Sequence, residues 1–380
     1  MLKRFEVQNF KNFKDKFVFD LSETKNYEFN PECVRDGLVS KALIYGPNGC
    51  GKSNLGLAIF DLVLHLTDKR SEPHLYQNYL NADSENLVGK YAVPKPEAHF
   101  TYVFQFGGVS LEYSYEKVEL GFVVLESLKL NQQEVLSYRI GEPIQTNLQG
   151  TETLNKDLGG SSLSALKYLR NNAVLTDEIS RNVLDKFFKF VDGMLFFRSV
   201  ENNVFIGYEN VVENMDGYIA KNSLTDDFER FLNNAGIKCK LAAVSQNGEQ
   251  RLAFVFEHSL REFWEMASTG TKSLTLYYYW MQKAKAIGER NALSFVFIDE
   301  FDAFYHHTLS QLVISELKKL PVQAVLTTHN TSIMTNDLLR PDCYFIMQDE
   351  QIAPIYKFTD KELRFAHNIE NMYRRGAFNG

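Results

Sequence analysis

The first 66 residues combine alternating hydrophobic and polar positions with one continuous apolar run. Residues 2–8 and 16–21 alternate apolar with polar side chains, which predicts a pair of β-strands around residues 9–15. Residues 41–45 form a short, mostly apolar run, which is typical of a buried strand, and residues 52–66 have the spacing of an amphipathic helix. The pattern predicts an early strand pair followed by a strand–turn–helix unit.

The next segment changes from polar sequence to a period of two. Residues 67–97 are polar and contain prolines, so they predict a long surface connection. Two alternating runs then meet at Gly107 and Gly108, which is a strong hairpin signal, and residues 126–140 predict a second hairpin. These hairpins indicate an antiparallel β lobe.

The middle of the chain, from about residue 150 to 235, is helical in pattern. The candidate helices are residues 162–173, 177–191 and 224–237, and two strands are expected near 237–257. We interpret this region as an inserted, mainly helical module.

Strands and helices alternate in the last third of the chain. Helices are predicted at residues 273–288, 308–320 and 331–339, and strands at 293–298 and 322–328. Such alternation predicts a parallel sheet covered on both faces. The predicted fold class is therefore α/β, with a mixed or parallel sheet, an antiparallel β lobe and the inserted helical subdomain. The predicted domains are residues 1–145, 146–257 and 258–380.

Composition narrows the class of protein. The 380 residues are 44% hydrophobic and 23% charged, which suits a globular protein with a sizeable core, either in two or three domains or in one domain with an insertion. A net charge of -7 disfavours a uniformly basic surface for nucleic acid but leaves room for a local basic patch. The four cysteines stand far apart and form no C-x-x-C pair, which disfavours a disulfide framework or a zinc site.

The same sequence argues for a cytoplasmic protein without a membrane segment. The first 13 residues lack the apolar core of a signal peptide. No apolar stretch approaches the roughly 18 residues of a membrane helix. A reducing cytosol also fits the scattered cysteines.

A phosphate-binding loop stands between the predicted strand 41–45 and helix 52–66. The loop matches G-x-x-x-x-G-K-[ST] without deviation. Its backbone N–H groups and the following helix end would hold phosphate oxygens, the lysine would reach the β- and γ-phosphates, and Ser53 would ligate Mg²⁺. A glycine-rich turn without a ligand is the alternative. The candidate nucleotide-binding residues are Gly46, Pro47, Asn48, Gly49, Cys50, Gly51, Lys52, Ser53 and Asn54.

Two further strands end in polar residues of the kind that act on a nucleotide. Asp299 and Glu300 follow an apolar run, and ligands bind at the carboxyl ends of parallel strands. Asp299 would hold Mg²⁺ through its water shell, and Glu300 would orient or deprotonate the attacking water. His329 follows the next strand, where it could contact a γ-phosphate. The alternatives are solvated acids at a strand end and a surface or capping histidine.

Small hydroxyl-bearing residues precede the predicted helix 273–288. Ser268, Thr269, Gly270 and Thr271 form either a plain N-cap or an anion site made of hydroxyl, backbone N–H and helix end. The aromatic run 277–280 inside the helix is interpreted as core packing or an interface.

The order of these motifs resembles ABC-type ATPases of the SMC/RecF/OLD group, and most of all the short RloA-like ATPases of bacterial antiphage defence. Residues 266–274 resemble the ABC signature, residues 298–307 a Walker B motif with a D-loop, and residues 327–330 the switch-histidine motif. Residues 5–15 resemble the family's opening turn and residues 368–380 its closing segment.

The resemblance implies a head-to-head dimer or higher oligomer that binds ATP and Mg²⁺. ATP would lie between the phosphate loop of one subunit and Ser268 and Gly270 of the other, and hydrolysis by Glu300 and His329 would open the clamp. The likeness also places His306 in the D-loop and brings Lys14 or Lys11 towards the nucleotide.

The sequence departs from the family pattern at several points. Thr269 stands in place of the signature's first glycine and Thr271 in place of its glutamine. The Q-loop residue is ambiguous between Gln105 and Gln145. The insertion is too short for a long coiled coil, and no nuclease motif accompanies the ATPase motifs.

We therefore expect an ATPase that acts as a sensor or regulatory switch for a separate effector, a nuclease, in antiphage defence. The alternative is a RecF-like clamp whose grip on DNA is gated by ATP, so nucleic acid stays a possible partner. A small-molecule kinase is a third hypothesis, which the signature and the switch histidine disfavour.

Overall fold

The fold is known from a computed structural model that describes residues 1–87, 96–198, 205–207, 214–246, 248–285, 292–303, 307–348 and 350–378. Its strands are β1 Leu2–Gln8, β2 Phe17–Asp20, β3 Val34–Arg35, β4 Leu38–Val39, β5 Lys41–Tyr45, β6 Ala98–Phe106, β7 Val109–Glu119, β8 Phe122–Leu130, β9 Gln133–Arg139, β10 Gln145–Thr146, β11 Met194–Arg198, β12 Phe205–Gly207, β13 Leu241–Gln246, β14 Glu249–Phe256, β15 Ser259–Glu262, β16 Phe295–Asp299, β17 Gln323–Thr327, β18 Tyr344–Gln348 and β19 Gln351–Pro354. Its helices are α1 Lys52–Leu66, α2 Ala82–Leu87, α3 Ala165–Asn172, α4 Glu178–Asp192, α5 Met215–Lys221, α6 Thr225–Asn234, α7 Phe263–Met266, α8 Thr269–Lys285, α9 His307–Lys318 and α10 Ile369–Arg374.

A seven-stranded sheet, which we call the central sheet, carries the predicted motifs. Its strand order is β12-β11-β16-β17-β5-β18-β19, and its neighbours from β11 to β18 pair in parallel. The edge strands β12 and β19 are antiparallel. Every residue of β5, β16 and β17 is buried, which explains why the middle residues of these strands are apolar on both faces. The predicted α/β fold class with a mixed sheet is confirmed.

A second seven-stranded sheet is antiparallel and has the order β10-β9-β8-β7-β6-β1-β2. Both predicted hairpins are present, as β6–β7 and β8–β9. Alternate residues of β6 and β7 are buried, as the period of two requires when one face packs inward. The predicted strand pair at the start of the chain, β1 and β2, lies at one edge of this sheet.

Helix α1 lies between the two sheets. On one face, a Cβ atom on Gly56 would stand 2.7 Å from the rings of Phe196 and Phe297 in the central sheet, so only glycine fits there. On the other face, the Tyr102 hydroxyl from β6 donates to the Ala58 carbonyl at 2.8 Å. The helix that begins at the phosphate loop is thus fixed against both sheets.

The middle region is less separate than its helical pattern suggests. Strand β11 lies within the predicted insertion and pairs in parallel with β16 of the central sheet. Strands β13 to β15 form a three-stranded antiparallel sheet, of which the last strand was not predicted. The division into residues 1–145, 146–257 and 258–380 stays a prediction.

The predicted helix at residues 331–339 is wrong. The chain instead forms a short 3₁₀ turn at Thr331–Ile333. The Asn330 side chain accepts from Ser332 N at 3.1 Å, and the Tyr344 hydroxyl accepts from Thr335 N at 3.0 Å. These side chains satisfy backbone groups that a helix would otherwise pair, so local polar bonding replaces the helix.

The predicted surface connection at residues 67–97 is also partly wrong. Tyr76 and Tyr79 are buried, and the Tyr76 hydroxyl donates to the Leu57 carbonyl of α1 at 2.9 Å. The buried rings of Tyr76 and Tyr79 anchor a segment whose polar composition had suggested exposure to solvent. No helix in the described ranges has the length and apolar character that a membrane crossing requires.

Candidate nucleotide-binding site

The phosphate loop joins the end of β5 to the start of α1, as predicted. Gly51, the last residue before the helix, has φ 103°, a left-handed conformation that side chains rarely adopt. A Cβ atom on Gly46 would stand 2.4 Å from the Met347 carbonyl oxygen of β18. Glycine is therefore required at both ends of the loop for its backbone to turn this tightly.

Lys52 points its ammonium group into the loop. Its Nζ donates to the carbonyl oxygens of Gly46 at 2.8 Å and Pro47 at 3.0 Å. The side chain is buried, and burial lowers the pKa of Lys52, an effect that the thiol of Cys50 and the carboxylates of Asp299 and Glu300 oppose. The cation is therefore held where phosphate oxygens would replace neutral carbonyls as its partners.

Asp299 ends β16 and is fully buried. Its Oδ1 accepts from the Thr327 hydroxyl at 2.7 Å, and its Oδ2 accepts from Nε of Arg198 at 2.8 Å. Glu300 follows with φ 48°, and its backbone N–H donates to the Thr327 hydroxyl at 2.8 Å. A left-handed backbone conformation is strained at a residue other than glycine, and it persists only where the surrounding structure holds it. At Glu300 the hydrogen bond to Thr327 does so.

His329 follows β17, the strand between β16 and β5. The Thr328 hydroxyl donates to Oδ1 of Asp302 at 2.7 Å and accepts from Asn330 N at 2.9 Å, which fixes the residues on both sides of the histidine. Partial burial and the positive charge of Lys52 lower the pKa of His329, while the carboxylates of Glu300, Asp302 and Asp299 oppose the change. A neutral imidazole is thus favoured beside the loop.

The structure therefore brings four predicted residues together. Lys52, Asp299, Glu300 and His329 lie within one another's electrostatic reach, at the carboxyl ends of three neighbouring parallel strands. This is the edge of a parallel sheet at which ligands bind.

The opening turn reaches the loop through a residue that was not predicted. Asn12 Nδ2 donates to the Cys50 carbonyl at 3.4 Å, and its Oδ1 accepts from Asn54 at 2.6 Å. Lys11 instead donates to the Gln77 carbonyl at 2.9 Å, and Lys14 pairs with Asp83 at 2.8 Å. The sequence signal that could have identified Asn12 is its position as a polar residue between Lys11 and Lys14.

The closing segment also lies beside the loop. The Tyr373 ring in α10 is 6.1 Å from the ring of Tyr45, the last residue of β5. Burial and the nearby Cys50 thiol raise the pKa of Tyr373. His306, which the resemblance placed in the D-loop, lies outside the described residues.

Ser268 stands at the start of α8, where it serves as a capping residue. Its hydroxyl lies 2.8 Å from the Thr271 hydroxyl and accepts from Thr271 N at 3.2 Å. Ser268 is exposed and Gly270 is half-buried. Within the described part of the chain, no hydrogen bond or ion pair links Ser268 to the phosphate loop, so its contact with a nucleotide stays a prediction.

Both candidates for the Q-loop residue lie away from this edge. Gln105 is next to Met1, at the end of β1 opposite the turn that holds Asn12. Gln145 is on β10, five strands from β1 in the antiparallel sheet, which is about 24 Å at the usual strand spacing. Arg198, which was not predicted, does reach this edge of the central sheet, because it ends β11 next to Asp299 at the end of β16.

The residues at the edge fit ATP with Mg²⁺. The absence of a Cβ atom at Gly46 and Gly51 lets the loop backbone approach Met347 and Asn12 closely, and the Nζ of Lys52 lies against the loop carbonyls. The half-buried Ser53 hydroxyl and the carboxylate of Asp299 are hard oxygen donors, which suit Mg²⁺. The combination matches the donor set by which phosphate loops hold a nucleotide and its metal.

Residues 182–335 match the family described as "AAA domain, putative AbiEii toxin, Type IV TA system", which is less than half of the chain. This segment contains Ser268, Asp299, Glu300 and His329 but not the phosphate loop. No curated protein matches the sequence significantly.

Solved structures resemble the chain over most of its length. An SMC head bound to the C-winged helix domain of ScpA shares 16% identity, with 93% of this chain and 96% of that chain covered and a TM-score of 0.48. The SMC head domain from Thermotoga maritima shares 16% identity, with 93% and 97% covered and a TM-score of 0.44. The recombination mediator RecF with ATP shares 14% identity, with 93% and 98% covered and a TM-score of 0.40.

Proposed function

We propose that this chain, an ATPase of the AAA/ABC type, binds and hydrolyses ATP between two head-to-head subunits and thereby switches a separate effector in antiphage defence. The observation that carries the proposal is the arrangement of Lys52, Asp299, Glu300 and His329 at one sheet edge. Ser268 has no bond to that set within the described chain, which favours a role in the site of a second copy.

Each residue at the edge has a part in hydrolysis. Lys52 neutralises the β- and γ-phosphates, and Asp299 and Ser53 hold the metal. Bound Mg²⁺ supplies positive charge that stabilises the phosphate oxygens as charge moves onto the leaving group. Glu300 orients or deprotonates the attacking water, and the ring N–H of His329 donates to a γ-phosphate oxygen.

The switch part of the proposal has separate support. The matched family's description names a toxin of a toxin–antitoxin system, which is a system of more than one component. The described residues bring together one set of nucleotide-directed side chains and no nuclease motif accompanies them. The proposed effector is therefore a second polypeptide, a nuclease, whose binding depends on whether the ATPase dimer is closed.

A complementation experiment tests the composite site. Lys52→Ala and Ser268→Arg are each expected to abolish ATP hydrolysis when assayed alone. If Ser268 acts on the partner's nucleotide, a one-to-one mixture of the two variants regains about a quarter of wild-type activity, because half of randomly paired dimers hold one intact site. A mixture as inactive as its components would contradict a site shared between subunits.

Glu300→Gln tests the hydrolytic assignment. The amide keeps the shape of the side chain but cannot accept the proton of water, so turnover should fall by about two orders of magnitude or more while ATP stays bound. The closed dimer should then accumulate, as measured by sedimentation or light scattering with ATP. Normal hydrolysis by this variant would refute the role of Glu300.

The same trapped dimer distinguishes the two candidate functions. We expect Glu300→Gln with ATP to capture a protein effector when the neighbouring gene product is supplied. A RecF-like clamp would instead bind DNA in the trapped state, with affinity that falls steeply with salt because phosphate contacts release counterions. DNA binding without effector binding would replace the proposed function by that alternative.

A further inference from the structure

Arg198 neutralises the buried carboxylate of the proposed metal site. Asp299 is 0% exposed and the Arg198 side chain 18% exposed, and the two are joined at 2.8 Å between Nε and Oδ2. The contact is set by the sheet, because Arg198 and Asp299 are register partners at the ends of the parallel strands β11 and β16. Arg198 is therefore built into the site by strand pairing.

Each oxygen of the Asp299 carboxylate already has a hydrogen-bond partner. Its Oδ1 accepts from the Thr327 hydroxyl and its Oδ2 from Arg198. A buried carboxylate without a cation nearby is unfavourable, so one positive charge has to be close to it in the folded protein. A second cation at the same oxygens would be repelled by the first, since the guanidinium cannot lose its proton.

We propose that Arg198 is the resting counter-ion of Asp299, a positioning residue that holds the carboxylate until Mg²⁺ arrives with ATP and displaces the guanidinium. The proposal rests on the proposed nucleotide site and goes further, because it makes the metal affinity of the site depend on a residue from the predicted insertion. The competition between the two cations sets the Mg²⁺ concentration at which ATP binding becomes effective. Because Arg198 ends strand β11, its displacement couples Mg²⁺ binding to that strand.

A matched pair of variants tests this in nucleotide-free protein. Arg198→Met leaves Asp299 buried without its ion-pair partner, and Arg340→Met does the same to Asp342, whose carboxylate is 0% exposed and pairs with Arg340 at 2.6 Å in a different part of the fold. Each variant is expected to lose about 5–10 °C in melting temperature. Millimolar Mg²⁺ at constant ionic strength should restore much of the loss in Arg198→Met and none in Arg340→Met.

The outcomes decide the proposal. Restoration by Mg²⁺ in Arg198→Met alone supports it, whereas equal responses of the two variants, or wild-type stability of Arg198→Met without Mg²⁺, overturn it. Wild-type protein should show no Mg²⁺-dependent rise, because its carboxylate is already neutralised.

Arg198→Lys provides a second measurement on a variant that retains the charge. The ammonium is more strongly hydrated than the guanidinium and lacks its planar fork, so it should hold Asp299 less firmly. The Mg²⁺ concentration needed for half-maximal binding of a fluorescent ATP analogue should fall several-fold. An unchanged Mg²⁺ requirement would overturn the competition. Failure of the proposed function itself would appear in the complementation assay and leave the Mg²⁺-dependent stability of Arg198→Met unaffected.

Discussion

Lys117→Met is expected to destabilise the protein through the helix that follows the phosphate loop. Lys117 of β7 and Asp61 of α1 form an ion pair in which both side chains are essentially unexposed, at 1% and 0%. Asp61 also accepts from the hydroxyls of Tyr79 and Tyr115, each at 2.8 Å. Removal of the ammonium leaves a carboxylate with two neutral donors in a buried position.

The size of the effect follows from that burial. Removal of one partner from a buried ion pair costs about 3–5 kcal/mol in the free energy of unfolding, because the remaining charge is uncompensated. Lys129 and Glu112 form a pair in the same antiparallel sheet, with side chains 39% and 38% exposed. Lys129→Met should cost no more than about 1 kcal/mol, since solvent screens an exposed pair.

Urea unfolding followed by circular dichroism measures both variants against wild type. A double variant, Asp61→Asn with Lys117→Met, should recover part of the loss, because the amide oxygen still accepts from one of the two tyrosine hydroxyls and no buried charge remains unpaired. If Lys117→Met costs no more than Lys129→Met, or if the double variant is less stable than Lys117→Met, the buried pair does not secure α1 to the β lobe.

Two further predictions concern the loop and the first strand of the site. Asn12→Ala removes the side chain that bonds to the Cys50 carbonyl and to Asn54. The dissociation constant for ATP, measured by titration calorimetry, should rise about tenfold, while the free energy of unfolding changes by about 1 kcal/mol. An unchanged ATP affinity would contradict this role of Asn12. Burial lowers the pKa of Lys41 from 10.5 to about 8. Between these two values the unfolded chain binds more protons than the folded protein does. The stability of the wild type should therefore rise relative to Lys41→Met as the pH increases from about 8 towards 10.5. Urea unfolding at the two ends of the window checks this, and a constant difference between the two proteins would show that the lysine titrates normally.

The strands and turns that carry the motifs could be predicted because their requirements are local. Buried parallel strands need apolar side chains on both faces, so β5, β16 and β17 appear in the sequence as short apolar runs. The tight loop between β5 and α1 needs a left-handed φ at Gly51, which is a local requirement, whereas glycine at Gly46 is required by the close approach of Met347 in β18. Local pattern was therefore sufficient for this part of the site.

Strand β11 could not be predicted for a physical reason. Met194–Arg198 follows α4 after Gly193, and periodicity alone does not show whether so short an apolar run is a strand or part of a helix. Its identity as a strand depends on parallel pairing with β16, which lies about a hundred residues later in the chain. Arg198 was missed together with its strand, and the contact with Asp299 was missed with it.

The opening turn shows the same limit at the level of single side chains. The resemblance to the family's opening turn suggested Lys14 or Lys11 as the residue that approaches a nucleotide. Both cations are engaged elsewhere, with the Gln77 carbonyl and with Asp83, by segments that fold back against the turn. Which of several neighbouring polar residues faces the loop is set by the backbone path, and the path selects Asn12.

The fixed position of α1 indicates how the site adapts to a ligand. Gly56 packs against two phenylalanines of the central sheet, and Asp61 is paired with the antiparallel sheet, so the body of the helix is fixed on both faces. The groups whose partners can be exchanged lie at the sheet edge. Among the described residues, Lys52 bonds to loop carbonyls and to the thiol of Cys50, and Asp299 is paired with the side chain of Arg198. Accommodation of a triphosphate therefore requires changes in side-chain partners and leaves the two sheets in place. In the proposed dimer, a larger movement on ATP binding would come from closure against the second subunit, because α1 already holds the two sheets of one chain together.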